Sequence, residues 1–262
     1  MRREVAAGLV ACLTLAAGCA PRHVPVAEVG RDERRARYER RLEARERLAH
    51  AFEADLTLWV RMPSRKFPGA QAHLLLGAPG KFRLRVESLF GTALDVSARG
   101  DTVMAWAPGA RLAWATERAG DSIGLEDAGA IACRVWGAAF HPPEDAWSSA
   151  TFRDSVLELG WREGDGHVRV AIGSDGLPKE ASYATDQAAL TARYGAWHQE
   201  RGGTWPSRIT VEEERRGLKA ECRLSTLRFS AGIPPERFTP RLPREVRRVS
   251  RAEIFQWFEG VQ

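Results

Sequence analysis

Six histidines, four cysteines and a run of three glutamates are the residues of this chain best suited to chemistry. The histidines fall at 23, 50, 73, 141, 167 and 198, and none has a second His or a Cys at ligand spacing. No CxxC or HxxxH pattern occurs, so no metal is expected. Glu212, Glu213 and Glu214 lie in an alternating segment and read as a solvated strand face, not as an acid/base pair. No P-loop, H-E-x-x-H or G-x-G-x-x-G is present, so no cofactor is expected. The residues therefore point to a protein that is not an enzyme.

The cysteines carry more information. Arg2 and Arg3 precede an apolar run, Val5 to Leu15, too short to span a bilayer. Ala16-Ala17-Gly18-Cys19 follows it. Small residues before a Cys at this place resemble the lipobox of a bacterial lipoprotein, although Leu15 stands four residues before the Cys and Ala16 takes the usual Leu position. The resemblance implies a signal peptide over 1–18 and a diacylglycerol thioether on Cys19. At about 0.8 kcal/mol per buried CH₂, two or three acyl chains hold such a protein stably on a bilayer. Ala20 follows the Cys where an Asp would signal inner-membrane retention, which implies the outer membrane, with the protein facing the periplasm. Residues 19–30 read as an extended tether. Cys12 is lost with the signal, leaving Cys133 and Cys222. A disulfide between them would close a loop of about 90 residues and add up to about 4.5 kcal/mol. Both also sit in apolar phases, where buried free thiols are common, so the pairing stays open.

The chain has 262 residues, a formal charge of +5 and a 44% hydrophobic content, a globular composition. Acidic and basic residues interleave without a basic stripe, and nucleic acid is not expected as a partner. Residues 31–53 carry Tyr38, Leu42, Ala49 and Phe52 on one helical face, with charged pairs at four-residue spacing elsewhere. Such a helix is either solvated with one packed stripe or a basic surface facing a membrane. From residue 55 the period changes to two, with turn residues about every ten positions, which signals an antiparallel meander. Residues 125–138 interrupt it with a helical spacing that ends near Gly137, and strands then resume to about 229. A last helix is expected over 250–258. The fold class is thus mainly β (α+β): a single unclosed antiparallel barrel, or half-barrel, of about 11–12 strands with a helical lid, preceded by an N-terminal helix. The domain spans 31–247 and the C-terminal helix 248–262.

Apolar material exceeds what a thin sheet needs, with nine Trp and ten Phe. A groove lined with such groups excludes water and suits an acyl chain. Burying about fourteen methylenes would contribute roughly 11 kcal/mol. Leu58, Leu84, Val86, Trp106 and Trp114 are candidate liners from strands, with Ile131 and Val135 from the lid helix.

The export signal with Cys19, the segment 81–108 (KFRLRVESLFGTALDVSARGDTVMAWAP), the inserted helix and the late ERFTPRLP (236–243) together resemble the LolA/LolB superfamily of periplasmic lipoprotein carriers and outer-membrane lipoprotein receptors. The resemblance implies an apolar cavity for acyl chains or acylated proteins under a helical lid. It also implies receipt of cargo from a soluble periplasmic carrier protein, and transport of lipid or lipoprotein to the outer membrane. Anchored members touch the bilayer with an apolar loop, a role that carries over to Leu89 and Phe90 in Ser88-Leu89-Phe90-Gly91. A second reading is a structural or assembly lipoprotein, filled by its own side chains, that uses the arginine-rich and C-terminal helices as docking surfaces.

Overall fold

A computed structural model describes residues 26–260 except 49–50, 78–79, 100–101, 116–133, 187 and 201–202. The signal peptide, Cys19 and most of the expected tether lie outside the described residues. So do Ile131 and Cys133.

Helix Val26–Leu48 opens the described chain and takes in the last residues of the expected tether. Fourteen strands then form one sheet. They are β1 (Ala51–Met62), β2 (Arg65–Gly77), β3 (Lys81–Ser88), β4 (Gly91–Arg99), β5 (Thr102–Ala107), β6 (Leu112–Ala115), β7 (Thr151–Arg153), β8 (Val156–Glu163), β9 (Gly166–Ile172), β10 (Pro178–Ala184), β11 (Ala189–Glu200), β12 (Gly203–Glu213), β13 (Leu218–Ser230) and β14 (Arg247–Arg248). The order across the sheet is β14-β6-β5-β4-β3-β2-β1-β13-β12-β11-β10-β9-β8-β7. The chain thus starts in mid-sheet, meanders outward to β6, crosses to the far edge at β7 and meanders back until β13 pairs with β1. All pairs are antiparallel except β14 with β6, and the end strands do not meet, so the sheet is unclosed.

Period-two alternation gives each strand one apolar face. On the inner face Phe52, Ala54 and Leu56 of β1, Leu74 and Leu76 of β2, Leu157 and Leu159 of β8, and Val170 and Ile172 of β9 join one core with Tyr38 and Leu42 of the helix. The helix is fastened by its arginines. Arg41 Nε donates to Asp175 O at 2.9 Å, and Arg37 Nη1 donates to Ser174 O at 3.0 Å. Arg31 Nη1 reaches Ser148 O at 2.9 Å. Tyr38 Oη donates to Phe140 O at 2.6 Å inside the core. The arginine-rich helix therefore packs on the sheet, and several of its guanidinium groups close backbone carbonyls of the opposite loops.

The helix ends at Leu48, earlier than the expected residue 53, because Ala51–Glu53 pair with both β2 and β13. Its buried stripe is accordingly Tyr38, Leu42 and Arg45. Of the expected helix 125–138, the described residues 134–137 are helical, and Ala139 N–H donates to Arg134 O at 3.0 Å. A short helix, Glu144–Ser148, follows Pro142-Pro143 and buries Trp147 edge-on to Tyr38, with centroids 5.8 Å apart.

Two strands exceed the expected count, β7 and β14, which have three and two residues. After β13 the chain runs over the outer face, where Ile233 and Phe238 bury Ala51 and Leu75 in a second small core. Phe238 seats on Gly77, whose absent Cβ would lie 2.8 Å from Phe238 Cζ. The final helix, Arg251–Gly260, starts with a capping box: Ser250 N–H donates to Glu253 Oε2 at 2.9 Å, and Glu253 N–H to Ser250 Oγ at 3.3 Å.

Candidate functional site: an apolar face and an exposed tip

Sheet register assigns each candidate liner to a face. Across the strands, Ala54 pairs with Leu74, Leu74 with Leu84, Leu84 with Val96, Val96 with Ala105, and Ala105 with Trp114. Directly paired residues share a face. Leu84 and Trp114 therefore stand on the inner face. Val86, paired with Ala72 and Leu94, and Leu58, paired with Cys222, stand there too. Val135 packs against the same core from the last described turn of the lid segment.

Trp106 does not join them. It pairs with Asp95, which pairs with Arg85, which pairs with His73, a row on the outer face. Trp106 follows Ala105, and consecutive strand residues point to opposite sides. It borders a groove of about 560 Å³ on that side, with Arg83, Asp95, Pro108 and Arg237. There Arg83 grips the buried Asp95 carboxylate through Nε at 2.9 Å and Nη2 at 2.6 Å, and its Nη1 donates to Arg237 O at 2.6 Å. These bonds hold the 234–241 segment over β3 and β4.

The inner face is unevenly covered. Toward β8–β12, Leu157, Leu159, Val168, Val170, Ile172 and Ile209 are buried in the core that Tyr38 and Leu42 of the N-terminal helix and Trp147 of the short helix share. Toward β3–β6 the face is mixed: Ala98, Val103, Ala105, Ala107 and Leu112 are buried, while Phe82, Leu84, Val86, Leu94, Val96 and Trp114 are only half-buried. The pattern is apolar at both ends, but the second end keeps hydrophobic area facing solvent. Phe82, Leu94 and Val96 complete this surface, and their period-two spacing with Leu84 and Val86 was the signal for them.

The hairpin joining β3 to β4 projects beyond this end of the sheet. Leu89 is 97% exposed and Phe90 99% exposed at its tip. The turn is closed by polar atoms: Phe90 N–H donates to Ser88 Oγ at 3.2 Å, and Ser88 Oγ donates to Gly91 O at 2.9 Å. Gly91 has φ +106, a conformation that only glycine adopts freely. The sequence thus spends its turn-forming residues on holding two large apolar side chains out in solvent, which is costly unless something covers them.

Cys222 is a free, buried thiol between Leu58 and Ile209 on neighbouring strands, and Cys133, the other half of the weighed disulfide, lies outside the described residues. Burial pushes its thiol up to about 12, which removes thiolate chemistry at neutral pH. Among the described residues, His73 on the outer face stands between two carboxylates, with Nδ1 2.8 Å from Asp55 Oδ1 and Nε2 3.6 Å from Glu53 Oε2. Hydrogen bonds from His73 and Arg228 hold the Asp55 carboxyl below its ordinary value. His73 Nδ1 is taken up by the hydrogen bond with Asp55. No G-x-S-x-G is expected in this chain, yet Gly120-Asp121-Ser122-Ile123-Gly124 has that spacing. A serine elbow of that form sits between a strand and a helix in an α/β sheet. The segment lies outside the described residues, and the sheet formed by the described strands is antiparallel apart from β14.

The architecture is LolA-like. The chain is similar to a LolA superfamily protein from Nitrosomonas europaea, at 16% identity and a TM-score of 0.52, covering 78% of this chain and 97% of the other. It is also similar to a putative outer membrane lipoprotein-sorting protein domain from Vibrio parahaemolyticus, at 14% identity and a TM-score of 0.51, covering 77% and 97%. At these identities the likeness is one of fold. No family model matches the sequence, and no curated protein matches it significantly.

Proposed function

We propose that this chain is a lipoprotein anchored through Cys19 in the outer membrane and facing the periplasm. Its sheet serves as a half-barrel that shelters acyl chains of lipids or acylated proteins on their way into that membrane, without catalysing a reaction. The observation that carries the proposal is the half-covered inner face of β3–β6, an apolar row ending in Trp114 beside a hairpin that exposes Leu89 and Phe90. An acyl chain lying on Leu84, Val86, Val96 and Trp114 gains about 25 cal/mol for each Å² of apolar surface removed from water. Val135 packs beside it in this reading. The tip enters the headgroup region and brings the open end of the sheet to the bilayer, where a chain can leave without crossing water. No described helix is long and apolar enough to cross a membrane. In this reading the attachment is made by lipidation and the tip. The fold shared with a putative lipoprotein-sorting domain supports the same reading. The solid β8–β12 half supports the scaffold alternative for that part of the molecule alone.

Lipid mass spectrometry of the protein extracted from membranes tests the proposal. Copurified diacyl lipid or acylated protein is expected, and a lipid-free protein that also fails to take up lipid from vesicles would overturn it. Replacing Cys19 with Ala is expected to release the protein into the periplasmic fraction, and continued membrane attachment would refute the anchor.

A further inference from the structure

Where the N-terminal helix lies across β12, five side-chain polar atoms are buried with no hydrogen-bond partner. They are Nε and Nη1 of Arg45, the hydroxyl of Tyr194, and the indole nitrogens of Trp197 and Trp205. No other described residue carries such an atom. Arg45 is 1% exposed. Its Nη2 donates to Ala138 O at 3.1 Å, and its guanidinium carbon stands 5.7 Å from the Trp197 ring centroid. The Tyr194 ring is 5.9 Å from Trp197 and 6.4 Å from Phe140. Trp205 is one register position further along the β11–β12 pair and leads to Phe229 and Phe52, with centroid separations of 4.9 and 5.6 Å.

The chemistry of the cluster is one-sided. A guanidinium and two indoles only donate, and the guanidinium keeps its charge in proteins. A buried cation without a counter-ion is strongly unfavourable. No carboxylate among the described residues pairs with Arg45. Its neighbour Glu46 turns to His141 Nε2 at 2.8 Å instead. The backbone is also held against preference here, because Ala196, just before Trp197, has φ +49. What the cluster lacks is an acceptor, preferably anionic and small. A carboxylate matches the guanidinium fork and the flanking N–H donors.

We propose that Arg45, Tyr194 and Trp197 form a headgroup site for the carboxylate of a long-chain fatty acid. The tail follows the inner-face row Phe229, Phe52, Leu76 and Phe82 toward the half-covered end of the sheet, where each residue pairs with the next. That row crosses from β13 to β3, about 14 Å at roughly 4.8 Å per strand. This deepens the acyl-chain reading above and rests on it: the sheet holds the tail, and Arg45 selects the head.

The test compares palmitate with hexadecanol, which has the same tail but no charge, on the delipidated full chain by tryptophan fluorescence titration. The wild type is expected to favour palmitate by about tenfold or more, the scale of one charge-assisted hydrogen-bond pair. Arg45→Met is expected to lose that preference, bind hexadecanol unchanged, and melt no lower than the wild type, because it removes a buried unpaired cation. Trp197→Phe keeps the ring and loses a donor, and a smaller loss of preference is expected. If Arg45→Met fails to fold, Trp197→Phe combined with Tyr194→Phe carries the test. Equal binding of both ligands by the wild type would overturn the headgroup site and leave the acyl-chain reading standing. A palmitate preference that survives the substitutions would also overturn it. Binding of neither ligand would overturn both.

Discussion

The two halves of the inner face are built from the same alternation and end in different states. In β8 and β9, Leu157, Leu159, Val170 and Ile172 are fully buried in one core with Tyr38 and Leu42 of the N-terminal helix and Trp147 of the short helix. In β3–β6, Leu84, Val86, Val96 and Trp114 remain half-open. Hydrophobic pattern alone does not separate the two, since both are apolar at every second position. The cover does. A helix tied by Arg31, Arg37 and Arg41 to backbone carbonyls of residues 148 and 174–175 can seal only the half it is tied to. The first half is thus cohesive structure, and the second keeps part of its apolar surface half-open.

The largest contrast should appear on truncation. Leu157→Ala or Ile172→Ala in the sealed half should cost about 2–5 kcal/mol in urea denaturation, because the cavity left cannot collapse. Leu84→Ala in the open half should cost about 1 kcal/mol or less, since little buried area is lost, and should weaken lipid uptake. Equal costs in the two halves would break the comparison.

Next in size is Gly77→Ala on the outer face. Its Cβ would strike Phe238 Cζ at 2.8 Å. Forcing that contact should cost roughly 1–3 kcal/mol and free the 231–240 segment to proteolysis. Tyr38→Phe removes the bond to the Phe140 carbonyl at the helix–lid junction, and about 1–2 kcal/mol of stability should go with it.

Acid gives a smaller, distributed effect. Hydrogen bonds from Lys219 and Arg193 hold the Glu212 carboxyl below its ordinary value, and His73 and Arg228 do the same for Asp55. A carboxyl depressed in the folded state contributes stability that is fully present above its unfolded pKa and is lost as pH falls through the folded value. Stability should therefore hold above pH 4.5, the ordinary glutamate value, and decline below it. A decline beginning near neutrality in thermal melts would contradict this assignment. Smallest in stability is the tip. Leu89→Ser with Phe90→Ser should change folding by no more than about 0.5 kcal/mol while reducing binding to vesicles.

Much of this was legible in the sequence. Strands β3–β5 and β9 follow their alternation closely because turn residues bracket them. The N-terminal helix was misjudged at its end, where Phe52 continues the Tyr38–Leu42 spacing by coincidence while its backbone belongs to β1. Pro68-Gly69 fall inside β2, at a shift of register against β1. Over those residues β2 has β1 as its only neighbour, so a missing N–H is tolerated. Strands β7 and β14 were too short to show a period. Trp106 drew attention by its size, but the face of a strand residue follows from parity, and Ala105 next to it was the better guide. Arg45 falls on the same helical stripe as Tyr38 and Leu42, and its charge concealed that it is buried.

The central claim is that acyl chains lie on the half-covered face that bears Trp114, and it can be read by fluorescence quenching. Phospholipid brominated along its acyl chains would be titrated into wild type, Trp114→Phe and Trp106→Phe. The quenchable fraction should fall in Trp114→Phe and stay at the wild-type level in Trp106→Phe, because the two rings stand on opposite faces. Loss of quenching in Trp106→Phe alone, or no quenching in any of the three proteins, would contradict the account.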